Sequence, residues 1–416
     1  MTMGEPTRLK REALRSIPRQ SEIIPLGPLV GFLADRGRQV RSPCRHQSGA
    51  TELEIPMFAA ILTETPTEEL VIADDVTLRD IAPGDVQVKI AHSGVCHSDL
   101  SAMNGTIPLA PPAVLGHEGA GVVTAVGDGV THVAPGDHVI IAFSPPCGTC
   151  PYCTGRGQPN LCMNGMTSMF LNQQFRRGDE VVSSMTGCGT FAEETIVPGI
   201  AAIKIDTDVP LDVAALVGCG VTTGVGAALN TAKVTPGSSV LVIGAGGVGV
   251  AAIQGARIAG AAEIVAVDLH EGKLDRAKAF GATHGVLPDD LPAALAEITG
   301  GEGFDFTLEC IGMPATMRQA FDMTRRGGTA CIVGVGLAEE TFALSAFDMF
   351  FSEKTLVGSM YGGADVRTDF NRFLRLYKAG RLDLDGMITR RIRIDEVNDA
   401  MACLGDADVI RQVIDF

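Results

Sequence analysis

The sequence predicts an α/β chain in two parts, a β-rich region followed by a doubly wound parallel sheet. Three observations carry this. Between Met57 and about Asp206, short runs of alternating polarity are broken by turn signals such as Pro83-Gly84-Asp85 and Pro135-Gly136-Asp137. From about Val221 to Ser359, continuous apolar runs alternate with helical stretches, as strands buried on both faces require. One such run, Val240-Leu241-Val242-Ile243, feeds directly into Gly244-Ala245-Gly246-Gly247-Val248-Gly249 and a helical stretch to Ala259.

In chain order, residues 1–56 come first and read differently from the rest, with nine Lys/Arg, six Asp/Glu and no sustained period. They are expected to be a disordered extension. The apolar run Ile23 to Ala34 is broken by Pro25 and Pro28 and has no small-residue cleavage site after it, so a signal peptide is disfavoured. A fresh pattern begins at Met57, which makes that residue a second candidate start. Val86 to Ile90, Gly119 to Val123 and His138 to Ile141 read as strands of the first region. Ile264 to Val267, Phe304 to Leu308 and Thr329 to Val333 read as strands of the second. A helix over Asp369 to Ala379, a strand and another helix complete the chain and are expected to pack back on the first region. The domains expected are therefore 1–56, 57–220, 221–360 and 361–416.

Composition narrows the function. With 416 residues, 46% hydrophobic and 20% charged, the chain is long enough for two or three globular domains. A formal net charge of −16 argues against general nucleic-acid binding, and the absence of Trp argues against stacked-base platforms. No apolar run reaches the roughly 18 residues of a membrane span, so neither nucleic acid nor membrane is an expected partner. Eleven cysteines, four of them crowded together, suit metal ligation in a reducing compartment and hence a cytoplasmic protein.

The glycine turn has the context that a dinucleotide site needs. Gly244, Gly246 and Gly249 follow a strand and open a helix, and Asp268 ends the next strand nineteen residues after Gly249. The first glycine permits the tight turn, the second lets the backbone approach a pyrophosphate, and the third lets helix and strand pack closely. Free N–H groups at the helix start favour the diphosphate. Asp268 would accept hydrogen bonds from the ribose hydroxyls and repel a 2′-phosphate. With Leu269, His270 and Glu271 beside it and no Arg, NAD is favoured over NADP.

Two cysteine sets suggest metal. Cys96 and His117, in Gly94-Val95-Cys96-His97-Ser98-Asp99 and Gly116-His117-Glu118, offer a thiolate and an imidazole, and Cys219 is the candidate third donor. Three such donors leave a zinc ion one open position, the mark of a catalytic site. The alternative for the pair alone is a buried thiol and a satisfied histidine. Cys147, Cys150, Cys153 and Cys162 offer four thiolates with no open position, which suits a structural zinc; an iron–sulfur cluster uses the same donors.

From Met57 to Phe416 the sequence resembles the zinc-dependent medium-chain alcohol dehydrogenases. The carriers are the two motifs around Cys96 and His117, the four-cysteine lobe, Val217 to Gly224, the glycine fingerprint and Ile410-Arg411. The resemblance implies a GroES-like catalytic domain and a Rossmann cofactor domain. It also implies two zinc ions per chain, the catalytic one held by Cys96, His117 and Cys219. Asp99 and Glu118 would support the ligands, with Asp99 orienting His117, and Ser98 would hydrogen-bond the substrate oxygen. His97 and Arg411 would flank the cofactor diphosphate, and Lys273 would join Asp268 at the ribose. Thr223, Val248, Val333 and Val335 would line the nicotinamide. The implied reaction is reversible hydride transfer between a primary alcohol, aliphatic or aromatic, and NAD in a homodimer or homotetramer.

There are departures from the family pattern. Eight residues separate Cys153 from Cys162 where seven are usual. Ser101 replaces a histidine that ends the proton relay in several members. The loop Thr106 to Pro112 lacks the acidic residues of members that act on glutathione-bound formaldehyde, so that substrate is disfavoured. The competing readings are a metal-free quinone reductase-like or binding member of the superfamily, and a zinc-lobe interaction module.

Overall fold

The computed structural model describes residues 55–416. The extension expected over 1–56 lies, except for its last two residues, outside the described residues.

The β-rich part contains two sheets. Met57–Leu62, Val71–Leu78, Phe175–Arg177, Glu180–Ser184 and Ala113–Val114 close a small barrel. The second sheet is built around the long strand Asp85–Val95, which pairs antiparallel with Glu118–Val126, Glu194–Pro198 and Arg411–Asp415. The C-terminal strand Arg411–Asp415 thus enters the sheet that carries the Cys96 motif, with Gln412 opposite Val95.

The second part is a six-stranded parallel sheet. Its order is His284–Val286, Glu263–Val267, Ser239–Ile243, Phe304–Glu309, Thr324–Ile332, Thr355–Gly358. In chain order this is 3-2-1-4-5-6, the doubly wound dinucleotide topology, whose ligand crevice opens at the carboxyl end of the first strand. The strand expected over Thr329 to Val333 starts earlier, at Thr324, because Thr324 pairs with Phe304 across an irregularity. The helix expected from Asp369 starts at Val366, where the Asp365 carboxylate accepts from the Arg367 backbone N–H.

The helices Leu211–Val217 and Gly220–Gly226 are almost wholly buried. They share one apolar core with Val250 and Ala251 of the cofactor-turn helix, Ile140 of the catalytic sheet, and Phe370 and Phe373 of the helix Val366–Lys378. Burying each Phe is worth about 1.5–3 kcal/mol. Cys219 sits at the break between the first two helices, fixed by packing on both sides. No single helix among the described residues is long and apolar enough to cross a membrane.

Candidate active site

Cys96 ends the strand Asp85–Val95 and is the N-cap of the helix His97–Met103. Asp99, in the first turn, is fully buried and organises the corner. Its carboxylate accepts from the Cys96 N–H at 3.0 Å, from the Gly116 N–H at 3.0 Å and from His117 Nδ1 at 3.3 Å. Asp99 therefore links the two motifs and turns the other ring nitrogen of His117 inward. That atom, Nε2, is buried with no hydrogen-bond partner.

The side-chain donors of Cys96, His117, Glu118 and Cys219 all lie within 4.8 Å of one another. A buried imidazole nitrogen that faces two thiols and bonds to nothing is the signature of a ligand atom, since a buried polar group without a partner is costly. The donor set fits zinc. Electrostatics agree: a hydrogen bond from Cys219, helped by His117, holds Cys96 well below the usual thiol range. The same interaction, together with burial, pushes Cys219 well above that range. Burial alone would lower His117, but Asp99 and then Cys96 outweigh it and raise it to about 10. Protons held in this way are what a metal ion displaces.

Glu118 lies opposite Gly94 in the sheet and is fully buried. A Cβ on Gly94 would come within 2.2 Å of the Glu118 carboxylate, so the motif needs glycine there. One Glu118 oxygen accepts from the Gly220 N–H at 3.1 Å, and the other pairs with Arg411. Arg411 thus has a buried carboxylate partner, and its side chain also lies against the glycine turn: a Cβ on Gly247 would lie 2.4 Å from its Cδ. The guanidinium spans the distance from the donor cluster to the glycine turn.

At that turn, Gly244 has φ +94° and an added Cβ on Gly249 would lie 1.8 Å from the Gly244 carbonyl oxygen. Gly246 has open space on its Cβ side, where a diphosphate can approach. Asp268 accepts from the Ala245 N–H at 2.9 Å and the His270 N–H at 3.1 Å, so it supports the turn. Lys273 does not pair with Asp268. Its side chain is buried and Nζ donates to the Gly405 carbonyl at 3.0 Å. Desolvation lowers the pKa of His97 against the opposing charge of Cys96, and the charges of Arg411 and Lys273 add to the lowering. Val333 is buried, Val248 half-buried and Val335 exposed.

Replacing His97 with Arg tests its expected contact with the diphosphate. A permanent charge with two donors should tighten NADH binding about fivefold at pH 8, worth about 1 kcal/mol. NADH fluorescence titration measures this, and equal affinity would place His97 away from the diphosphate.

The second donor cluster is Cys147, Cys150, Cys153 and Cys162. Sulfurs on a tetrahedral zinc at about 2.3 Å lie about 3.8 Å apart. Here Cys150 Sγ is 3.5 Å from Cys153 Sγ and 3.7 Å from Cys162 Sγ, too far for a disulfide. Backbone N–H groups of Cys147 and Gly165 point at the Cys162 sulfur, and that of Cys150 at the Cys147 sulfur. The Thr149 hydroxyl, with backbone N–H groups, holds Cys147 at about 5, while burial pushes Cys153 up to about 12. The longer spacing is absorbed by the exposed stretch 154–158.

Sequence reasoning misses two neighbours. Phe143 sets its ring edge-on to His117, with centroids 5.9 Å apart, and lies 4.0 Å from the ring of Tyr361. The Tyr361 hydroxyl donates to the carbonyl of Gly218, next to Cys219. The backbone N–H of Thr223 donates to the Cys219 carbonyl at 2.8 Å. Phe143 lies between the end of the strand His138–Ile141 and Cys147, and that position is the only signal available for either.

Two family models match the chain: the alcohol dehydrogenase GroES-like domain over residues 82–207 and the zinc-binding dehydrogenase domain over residues 247–379. The chain is 40% identical over 353 residues to an S-(hydroxymethyl)glutathione dehydrogenase of Photobacterium damsela subsp. piscicida, covering 81% of this chain and 95% of that protein. It is 40% identical over 340 residues to an NDMA-dependent alcohol dehydrogenase of Amycolatopsis methanolica, covering 80% and 91%. The crystal structure of benzyl alcohol dehydrogenase from Acinetobacter calcoaceticus superposes with a TM-score of 0.79 at 31% identity, covering 86% and 99%. These matches leave the metal-free alternative without support. The chain belongs to the zinc-dependent medium-chain alcohol dehydrogenases, NAD(P)-binding oxidoreductases of small-molecule alcohols and aldehydes.

Proposed function

We propose that this enzyme oxidises primary aliphatic or aromatic alcohols with NAD, reversibly giving the aldehyde, as a cytoplasmic homo-oligomer with two zinc ions per chain. The observation that carries the reading is the unpartnered His117 Nε2 between Cys96 and Cys219, with the half-buried Ser98 hydroxyl 3.8 Å from the Cys96 sulfur. Cys96, His117 and Cys219 would hold the catalytic zinc, and Cys147, Cys150, Cys153 and Cys162 the structural one. Zinc, when bound, supplies a Lewis acid that makes an alcohol acidic near neutral pH. NAD, when bound, supplies the hydride acceptor.

The chain's own residues do the rest. Ser98 accepts the substrate hydroxyl's proton and passes it outward. Asp99 fixes the ring of His117 through Nδ1, and such supports are worth 10–100-fold in metal affinity or activity. The N–H groups of the glycine turn, with Arg411 and His97, bind the diphosphate, while Asp268 takes the ribose hydroxyls and excludes a 2′-phosphate. Thr223, Val248, Val333 and Val335 hold the nicotinamide. In this reading, 57–220 is the catalytic part, 221–360 the cofactor part and 361–416 a return to the catalytic part.

Ile107 and Leu109 are half-buried on the loop after Gly105, and Leu109 packs on the apolar core beneath it. Apolar walls without carboxylates favour a plain aliphatic or aromatic alcohol over a glutathione adduct. Benzyl alcohol, a series of linear alcohols and S-(hydroxymethyl)glutathione, each with NAD and read at 340 nm, test this. The plain alcohols should give the higher kcat/KM; a preference for the glutathione adduct would overturn the assignment.

The oligomer has a visible candidate surface. Thr355–Gly358 is an edge strand whose outer side pairs with no other strand among the described residues, and the adjoining helix Ala346–Ser352 exposes Phe347, Phe350 and Phe351. An open strand edge beside an apolar patch suits a second copy. Light scattering should give a dimer or tetramer. All ten described cysteines are free, which supports a reducing compartment.

A further inference from the structure

We propose that Tyr361 is a positioning residue that fixes the Cys219 ligand and the ring behind His117, and that the four-cysteine lobe acts on the donor cluster through it. The inference rests on the assignment of Cys96, His117 and Cys219 as metal ligands. Tyr361 is 2% exposed and reaches both sides of that cluster. Its hydroxyl donates to the Gly218 carbonyl, one residue before Cys219. Cys219 itself sits at a helix break with φ −143° and ψ −74°, held on its C-terminal side by the Thr223 N–H, which donates to its carbonyl at 2.8 Å. The Tyr361 ring lies against Phe143, tilted by 32° at 4.0 Å, and Phe143 in turn meets His117 edge-on. One side chain thus braces the backbone of one ligand and the ring wall of another.

The backbone that carries Tyr361 is unusual. Tyr361 has φ +51°, rare and strained for a bulky residue, and Gly362 and Gly363 follow with φ +64° and +61°. Strain of this kind persists only where the surroundings enforce it, and here three clamps do. Asn160, from the four-cysteine lobe, donates through Nδ2 to the Met360 carbonyl at 3.0 Å. Asn230 donates to the Gly362 carbonyl at 3.3 Å, and the hydroxyls of Thr231 and Ser359 bond at 2.9 Å. Asn160 lies two residues before Cys162, on the turn Pro159–Leu161. The path from the lobe to the catalytic cluster is therefore contiguous: Cys162, Asn160, the Met360 carbonyl, Tyr361, the Gly218 carbonyl, Cys219.

Tyr361→Phe removes the hydroxyl and keeps the ring, leaving the Gly218 carbonyl without its donor. Metal release from the three-donor centre should then be faster, on the order of tenfold. With cobalt replacing zinc at that centre, the visible ligand-field bands should shift, because they report the directions of the donors and not the stability of the fold. Asn160→Ala should change release in the same direction but less. Because both act along one path, the double variant should release metal no faster than Tyr361→Phe alone. The experiment measures total metal in the purified wild type, release to a chelator, cobalt spectra and Tm for all four proteins. A wild type with no metal at the three-donor centre would overturn the ligand assignment itself. A Tyr361→Phe protein with wild-type release and spectrum, even at lowered Tm, would overturn the positioning role alone. Additive effects of the two substitutions would overturn the path through Asn160. If Tyr361→Phe fails to fold, Asn160→Ala alone decides, since a wild-type spectrum and release rate in that protein would overturn the proposal.

Discussion

Cys96→Ser is expected to abolish alcohol oxidation and remove one of two zinc ions while leaving the fold intact. Cys96 supplies one of three donors to the cluster, and a metal acting as a Lewis acid supplies several kcal/mol to such a reaction. The fall in kcat/KM should be on the order of 10³-fold or more. The fold survives because residue 96 is the N-cap of the helix His97–Met103, a position that serine fills well, and its N–H keeps the Asp99 carboxylate as partner. Cys150→Ser should do the reverse. The Cys150 sulfur touches those of Cys153 and Cys162 at the centre of the lobe. A closed zinc site contributes folding free energy, so Tm should drop by many degrees, together with loss of the other ion. Elemental analysis, steady-state rates and thermal melts of the three proteins make the test. A fully active wild type holding one zinc or none sinks the two-site reading.

Asp268→Ser is expected to shrink the preference for NAD over NADP by tenfold or more. A charged hydrogen bond is worth roughly 1.5–3 kcal/mol, and about 1.4 kcal/mol is a factor of ten. The structure adds a complication, because Asp268 also accepts from Ala245 within the glycine turn. Serine is too short to keep that bond, so affinity for both cofactors should fall as discrimination falls. Asp268→Asn separates the two effects, since an amide oxygen can still accept from Ala245 but carries no charge. It should relax discrimination with less loss of affinity for NAD. The ratio of kcat/KM for the two cofactors decides, and an unchanged ratio in both variants would mean that Asp268 does not face the ribose.

What the sequence made legible, and what it hid, divide along a physical line. Strands whose faces are both buried announce themselves as apolar runs, so Val240 to Ile243 and Ile264 to Val267 were read within a residue of their observed bounds. Candidate metal donors that come in short motifs, such as Cys96 near Asp99 and His117 beside Gly116, are legible because local geometry brings the motif together. Side chains that act across long separations were not. The Tyr361 hydroxyl meets a carbonyl 143 positions earlier, and no spacing rule connects them. The resemblance gives Lys273 a place at the ribose but not its bond to the Gly405 carbonyl, 132 positions later. The Glu118 partner was hidden for the same reason, although both residues had been marked as part of the site.

That last pair bears on biosynthesis. Arg411 and Glu118 are separated by 293 positions, and Arg411 lies on the strand that completes the sheet beside Asp85–Val95. A growing polypeptide that has already emitted Cys96, His117 and Cys219 still lacks the cation that balances the buried Glu118. An uncompensated carboxylate there costs several kcal/mol, so the pocket settles only once Arg411 has joined the sheet. A metal held by Cys96, His117 and Cys219 would therefore find its site complete only after that strand is in place. The four-cysteine lobe, whose ligands span only residues 147 to 162, is free to load earlier.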